Sequence, residues 1–401
     1  MYFKQAFKGK NDWWRYIVVT VLVFLGYNIG GIPIVLARLK SQEQHSELGN
    51  VDLSTFMENF DSYGINANLG LSLMLLFFVA AITVFYFVFG PFHRREFKTL
   101  STSATRIRYS RVFFAFCTWL SLALIVEAVG YFLNPGQYTW NFNSATFIPL
   151  ILICIFVLPL QTSFEELFFR GYLMQGIGTA RWRNVIVVFF SFLLTFGLAS
   201  LTSDWRANII NTQANETYGS IMSTISNLVI LLIFLGLCKV GVDYVRKNEL
   251  HSFGIRNYKL IPLLVTSILF GLVHGTNPEV QSFGTGIMMT YYISAGLMLG
   301  IMTIMDDGLE LALGTHAATN FTAAVFVGYE GSVIKTDSLF VAQDLNPYFM
   351  TVSFYIVGAV FLFILKRKYK WTTFNKLLEP ISKPDEDKQL DKHLSKHLVN
   401  N

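Results

Sequence analysis

Two adjacent carboxylates followed by a guanidinium, Glu165-Glu166-Leu-Phe-Phe-Arg170, stand inside an apolar stretch. On a helix Glu166 and Arg170 share a face with the acid N-terminal, the favourable order for mutual neutralisation. Glu165 is turned by about 100° from that pair and is left unpaired. A carboxylate in apolar surroundings holds a proton more tightly, which suits a general base working near neutral pH. His274, with Phe270 one helical turn before it, and His316, with Asn320 four residues on, add two imidazoles and a carboxamide. Together these groups have the parts for activating water and stabilising an oxyanion. They could equally hold a metal, because two His with one or two Glu form an acceptable zinc set, although the HExxH helix is absent. Taken singly, each also has a purely structural use. The Glu-Arg pair can be a buried ionic cluster that orients helices, and each His can be a hydrogen-bonding bridge between helices.

The elements that must position these groups follow from how scarce charge is elsewhere. Of 401 residues only 14% are charged, while 53% are hydrophobic and 16% aromatic. Soluble domains carry about 25% charge. With a mean hydropathy of +0.46, too few groups remain to solvate a water-facing surface. The chain therefore reads as an all-α, polytopic transmembrane bundle, which excludes a disordered chain, a disulfide scaffold and an ordinary cytosolic enzyme. Cys117, Cys154 and Cys238 lie in apolar runs and read as small buried hydrophobes. The net charge of +5 sits in loops beside the spans, so no nucleic-acid partner is expected.

Ten stretches are long or apolar enough to read as spans: Tyr16 to Leu36, Leu69 to Phe89, Val112 to Leu133, Phe147 to about Met174, Val185 to Leu201, Ile221 to Cys238, Leu260 to Gly275, Gly286 to Met305, Leu309 to Gly328 and Tyr348 to Leu365. Lys and Arg concentrate before the first span, between the second and third, after the fourth, before the seventh and after the last. All of these loops are cytoplasmic if both termini are, which supports an even count of about ten. The basic N-terminus reads as leading into an uncleaved first span, and the polar tail 366–401 as a partly disordered cytoplasmic appendage. Gly26-x-x-x-Gly30 and Gly296-x-x-x-Gly300 permit close helix packing, within one chain or between two. Oligomeric state stays open.

An ionisable side chain in hydrocarbon costs about 2.5 to 3.5 kcal/mol on insertion scales, so each one at depth needs a reason. Apart from Glu310 at a span edge, these are Glu127, Glu165, Glu166, Arg170, His274 and His316; His45, His93, His251, His393 and His397 read as loop or tail residues. At 1.5 Å per residue, Glu165 lies ~15 Å, His274 ~20 Å and His316 ~10 Å from the cytoplasmic end of its span. The three could meet in one layer.

In order, Glu165-Glu166-x-x-x-Arg170, Phe270-x-x-x-His274 and His316-x-x-x-Asn320 resemble the three motifs of the CPBP intramembrane proteases. That family includes the type II CAAX prenyl endopeptidases and bacteriocin-processing and immunity proteins. The likeness covers roughly Phe147 to Gly328. It implies a helical membrane protease with Glu165 as base, His274 as its partner, His316 and Asn320 as oxyanion stabilisers, and Glu166, Arg170 and Phe270 in support. It further implies a membrane-associated or prenylated substrate, the lipid bilayer as surroundings, and the bacterial inner membrane as location. No cofactor is expected to be required; zinc on Glu165, His274 and His316 is the alternative. One departure stands out: two extra apolar stretches separate Arg170 from His274. Phe192 to Ser200 resembles a degenerate second motif with Ser200 in place of His. Either a helical hairpin, about 185–240, is inserted, or the second motif has lost its His and the enzyme is dead. The hairpin preserves the span parity and the usual spacing of His274 to His316. The expected organisation is thus 1–146 as the first three spans, 147–328 as the catalytic core with its hairpin, 329–365 as the last loop and span, and 366–401 as the tail. Two other functions fit the same residues: a membrane scaffold or immunity-type regulator packing around the polar cluster, and a transporter relaying protons through Glu127, Glu165 and the His pair.

Overall fold

The computed structural model describes residues 2–44, 53–180, 182–201, 216–247, 258–329, 331–343 and 345–381. His45, His251, His393, His397 and the tail from 382 onward lie outside them. Every apolar stretch is helical for most of its length. The helices are α1 (Trp13–Gln44, turned once at Gly31), α2 (Ala67–His93), α3 (Tyr109–Leu133), α4 (Ser144–Thr179), α5 (Trp182–Leu201), α6 (Glu216–Lys247), α7 (Leu260–Thr276), α8 (Thr285–Asp306), α9 (Glu310–Phe321) and α10 (Pro347–Lys368). Among the described residues α1, α2, α3, α4, α8 and α10 are long and apolar enough to cross a membrane. On α3, Phe113 and Phe132 are 71% and 79% exposed, surface that hydrocarbon accepts and water penalises. Asparagine side chains start three of the helices: Asn66, Asn143 and Asn346 accept from the first free backbone N–H groups of α2, α4 and α10.

The chain divides into two compact units, residues 180–257 and the remainder. Within the smaller unit α5 and α6 pack together, with Gly241 facing Val187. The expected hairpin and Ser200 fall in this unit, and the side chain of Ser200 lies outside the description.

In the larger unit the glycine pairs face helices of the same chain. A Cβ on Gly26 or Gly30 would strike Val84 or Phe77 and Ala80 on α2, and one on Gly296 would lie 3.0 Å from Ser267 Cα on α7. Both motifs therefore seat helix against helix internally. Gly314 does the same for α9 against α3, where a Cβ would lie 3.0 Å from Ala115 Cβ and Phe116 N and closer still to the Val112 carbonyl. Gly314→Val should destabilise the protein by about 1–3 kcal/mol through overpacking. Denaturant unfolding in detergent micelles reads this, and an unchanged midpoint would show that α9 has slack against α3.

The start of α9 is fixed by charge. Arg108 donates to both oxygens of Glu310, at 2.9 and 2.6 Å, and Glu310 is fully buried. Residues following α10 fold back on the same turn: Trp371 Nε1 donates to Asp306 at 3.3 Å and Lys376 Nζ to Asp307 at 2.8 Å. His93, read as a loop residue, instead closes α2 and is buried between the Lys10 carbonyl and the Tyr172 hydroxyl, at 2.8 and 2.9 Å.

Three short strands complete the unit: β1 (Tyr138–Trp140), β2 (Val327–Tyr329) and β3 (Phe340–Ala342). Their order is β1-β3-β2, with β3 antiparallel to β1 and parallel to β2. β2 begins where α9 and its terminal π-turn, Thr322–Phe326, run out. The apolar stretch Leu309 to Gly328 is therefore helix followed by strand, not one continuous helix.

Candidate active site

Three helices deliver the polar groups. α4 carries Gln161, Glu165, Glu166 and Arg170, and a π-turn over Leu167–Leu173 follows the two acids directly. The extra residue per turn re-aims the side chains that follow, and such bulges concentrate at functional sites. The Glu166–Arg170 pair survives it, with Arg170 Nη1 donating to Glu166 Oε1 at 2.7 Å. Arg170 is fully buried, lies 4.1 Å from the centre of the Phe270 ring and donates through Nη2 to the Gly296 carbonyl at 3.3 Å.

His274 terminates the regular part of α7. Its backbone N–H turns to the Gly271 and Leu272 carbonyls, so the Phe270 carbonyl receives the side chain instead, Nδ1 lying 2.7 Å from it. A carbonyl only accepts, so Nδ1 carries a proton and Nε2 of the neutral ring presents a lone pair. That Nε2 faces Glu165 Oε2 at 3.9 Å. The ring is flanked by Phe270 and Tyr292, with centres 4.4 and 4.7 Å away.

α9 brings His316 and Asn320. His316 Nδ1 lies 2.8 Å from Glu166 Oε1, the oxygen that also accepts from Arg170, and its Nε2 is 3.6 Å from Glu165 Oε2. Glu165 Oε2 is thus faced by both imidazoles while making no hydrogen bond to the described residues. The separations exceed a direct hydrogen bond. They match a carboxylate and an imidazole that share one small polar molecule between them. Glu165 is 7% exposed and Glu166 fully buried.

The structure therefore brings together Glu165, Glu166, Arg170, Phe270, His274, His316 and Asn320. It leaves Glu127 on α3 apart from them, with Tyr138 as its polar neighbour. Sequence reasoning missed Gln161. Its Nε2 donates to Glu165 Oε1 at 2.5 Å and its Oε1 accepts from Asn320 Nδ2 at 2.9 Å. The signal was available in its spacing, four residues before Glu165 and so on the same face of α4. Tyr292 was missed too, and carries no motif. Among the described residues no group of three or more His, Cys, Asp or Glu side chains is gathered so that it could hold a metal ion.

A family model described as type II CAAX prenyl endopeptidase Rce1-like matches residues 144–251 and 244–322. The chain carries an Rce1-like domain. All seven sequence-predicted site residues lie within this Rce1-like domain, on α4, α7 and α9. With the apolar helices, this similarity supports an integral membrane protein. A relative in Bacillus subtilis (strain 168), the uncharacterized protein YyaK, is 23% identical over 362 residues, covering 89% of this chain and 93% of its own length. That similarity extends beyond the Rce1-like domain into the flanking helices. No solved structure gives a significant match.

Proposed function

We propose that the chain is an intramembrane endopeptidase that hydrolyses a peptide bond in a membrane-associated or prenylated substrate. The observation that carries this is the approach of two imidazole Nε2 atoms, at 3.9 and 3.6 Å, to one otherwise unbonded oxygen of the buried Glu165. A water held between Glu165 Oε2 and His274 Nε2 points its two hydrogens at two acceptors and its oxygen lone pair at the substrate. As that oxygen bonds to the scissile carbonyl carbon, one proton passes to Glu165. The carbonyl oxygen becomes the oxyanion, held by the Asn320 amide and by His316 Nε2 once that ring carries both protons. Glu166, whose Oε1 lies 2.8 Å from His316 Nδ1, supplies the counter-charge once Glu165 is protonated. Collapse breaks the C–N bond, and the proton passes to the leaving amine through Glu165 or His274. Glu166, Arg170 and Phe270 hold the two His-bearing helices against α4. In this reading protein side chains carry every step and both termini face the cytoplasm.

The test is cleavage by the purified, full-length protein in liposomes of a farnesylated peptide ending in Cys-aliphatic-aliphatic-X, beside its unprenylated form and a transmembrane peptide. Hydrolysis of at least one membrane-anchored peptide is expected. A folded protein that cleaves none of them sinks the proposal. Incubation with 1,10-phenanthroline should leave the rate within about twofold, whereas loss restored by added zinc would replace Glu165-driven chemistry with a metal site.

A further inference from the structure

Gln161 joins the two halves of the proposed chemistry. It is 9% exposed, stands one turn before Glu165 on α4, and contacts both Glu165 and Asn320 through opposite ends of one carboxamide. The direction of this chain of bonds is forced. An ionised carboxylate only accepts, so the Gln161 amide must turn its NH₂ to Glu165 Oε1. Its oxygen is then left to receive Asn320, which must offer Nδ2. Two consequences follow. Glu165 Oε1 is occupied, so the oxygen available for proton transfer is Oε2, the one that faces His274 and His316. Asn320 is held by one of its two N–H groups, with the amide plane fixed and the second N–H left for an oxyanion.

We propose that Gln161 is a positioning residue that sets the reacting oxygen of Glu165 and the donor face of Asn320 together. This rests on the reading of Glu165 as base and Asn320 as oxyanion donor. The competing role for a buried Gln between α4 and α9 is interhelical hydrogen bonding alone, which contributes to stability and nothing else.

Gln161→Met keeps the length and removes both polar atoms. Measured on the farnesylated peptide above, it should lower kcat by about 10–100-fold with KM within about twofold, as expected for groups that act only in the transition state. In an Asn320→Ala background Gln161→Met should cost less than it does in the wild type, since only its contact to Glu165 is then left to lose. Gln161→Glu, which keeps the acceptor for Asn320 and replaces the donor with a second acid, should show a comparable loss of kcat and serves if Gln161→Met does not fold. An arm without substrate separates this proposal from the proposed function. The carboxylate infrared band that disappears in Glu165→Gln should shift in frequency in Gln161→Met relative to the wild type, because Oε1 has lost its hydrogen-bond donor. If kcat and that band both stay put in folded variants, Gln161 only bridges helices. If peptide cleavage is absent but the band moves, Gln161 still orients Glu165 and it is the endopeptidase reading that fails.

Discussion

Glu165→Gln should reduce peptide cleavage by roughly 10²–10⁴-fold, the usual contribution of a positioned general base, while leaving the fold intact. The substitution is nearly isosteric and keeps an oxygen for Gln161 Nε2, so the 2.5 Å contact can persist. What it removes is the second acceptor facing the two imidazoles. A neutral amide placed near His274 Nε2 and His316 Nε2 can donate to one of them, but cannot take a proton from water. The effect should therefore appear in kcat, with KM little changed and with a thermal midpoint within a few degrees of the wild type. Retention of full activity would falsify the assignment of Glu165 as base. Retained activity together with loss in His316→Ala would move the chemistry to Glu166, whose Oε1 lies 2.8 Å from His316 Nδ1. A scaffold or regulator predicts the opposite pattern for both variants: lost stability with unchanged phenotype.

Much of this site was legible because charge in an apolar stretch is expensive and so conspicuous. Glu165, Glu166, Arg170, His274 and His316 announced themselves by depth, and Asn320 by its spacing from His316. Gln161 escaped because an uncharged amide carries a smaller penalty in hydrocarbon and raises no comparable signal. Other features were invisible for geometric reasons. A run of apolar residues encodes burial without saying whether a turn has 3.6 or more residues, so the π-turns after Glu166 and after Phe321 could not be read. Strands of three residues, such as Val327–Tyr329, are too short to display alternation. For the same reason the stretch Leu309 to Gly328 read as one span although its helix gives way to β2. The glycine pairs left their partners open in the sequence, since small residues state that something packs closely but not what. Val84 and Ala80 opposite Gly26 and Gly30 supply that answer.

Arg170→Met should destabilise the folded protein by about 3–5 kcal/mol, because breaking a fully buried ion pair strands the other charge. Methionine fills much of the space of the arginine stem, so the loss is chiefly electrostatic and includes the contact of the guanidinium with the Phe270 ring. Glu166 keeps His316 as a partner, but Oε1 then depends on one imidazole N–H in place of an imidazole and a guanidinium. The Gly296 carbonyl loses its Arg170 contact as well, at the point where α8 meets α7. Removing the stranded charge should recover part of the cost: Glu166→Gln with Arg170→Met is expected to be more stable than Arg170→Met alone by about 1–2 kcal/mol, the non-additivity of a directly contacting pair. Unfolding by denaturant in micelles measures both. If Arg170→Met lies within 1 kcal/mol of the wild type, the guanidinium is not what makes burial of Glu166 tolerable, and His316 must carry the compensating charge. That outcome would change the chemistry too: a His316 committed to neutralising Glu166 has a fixed proton on Nδ1, and the ring can then gain or lose a proton only at Nε2.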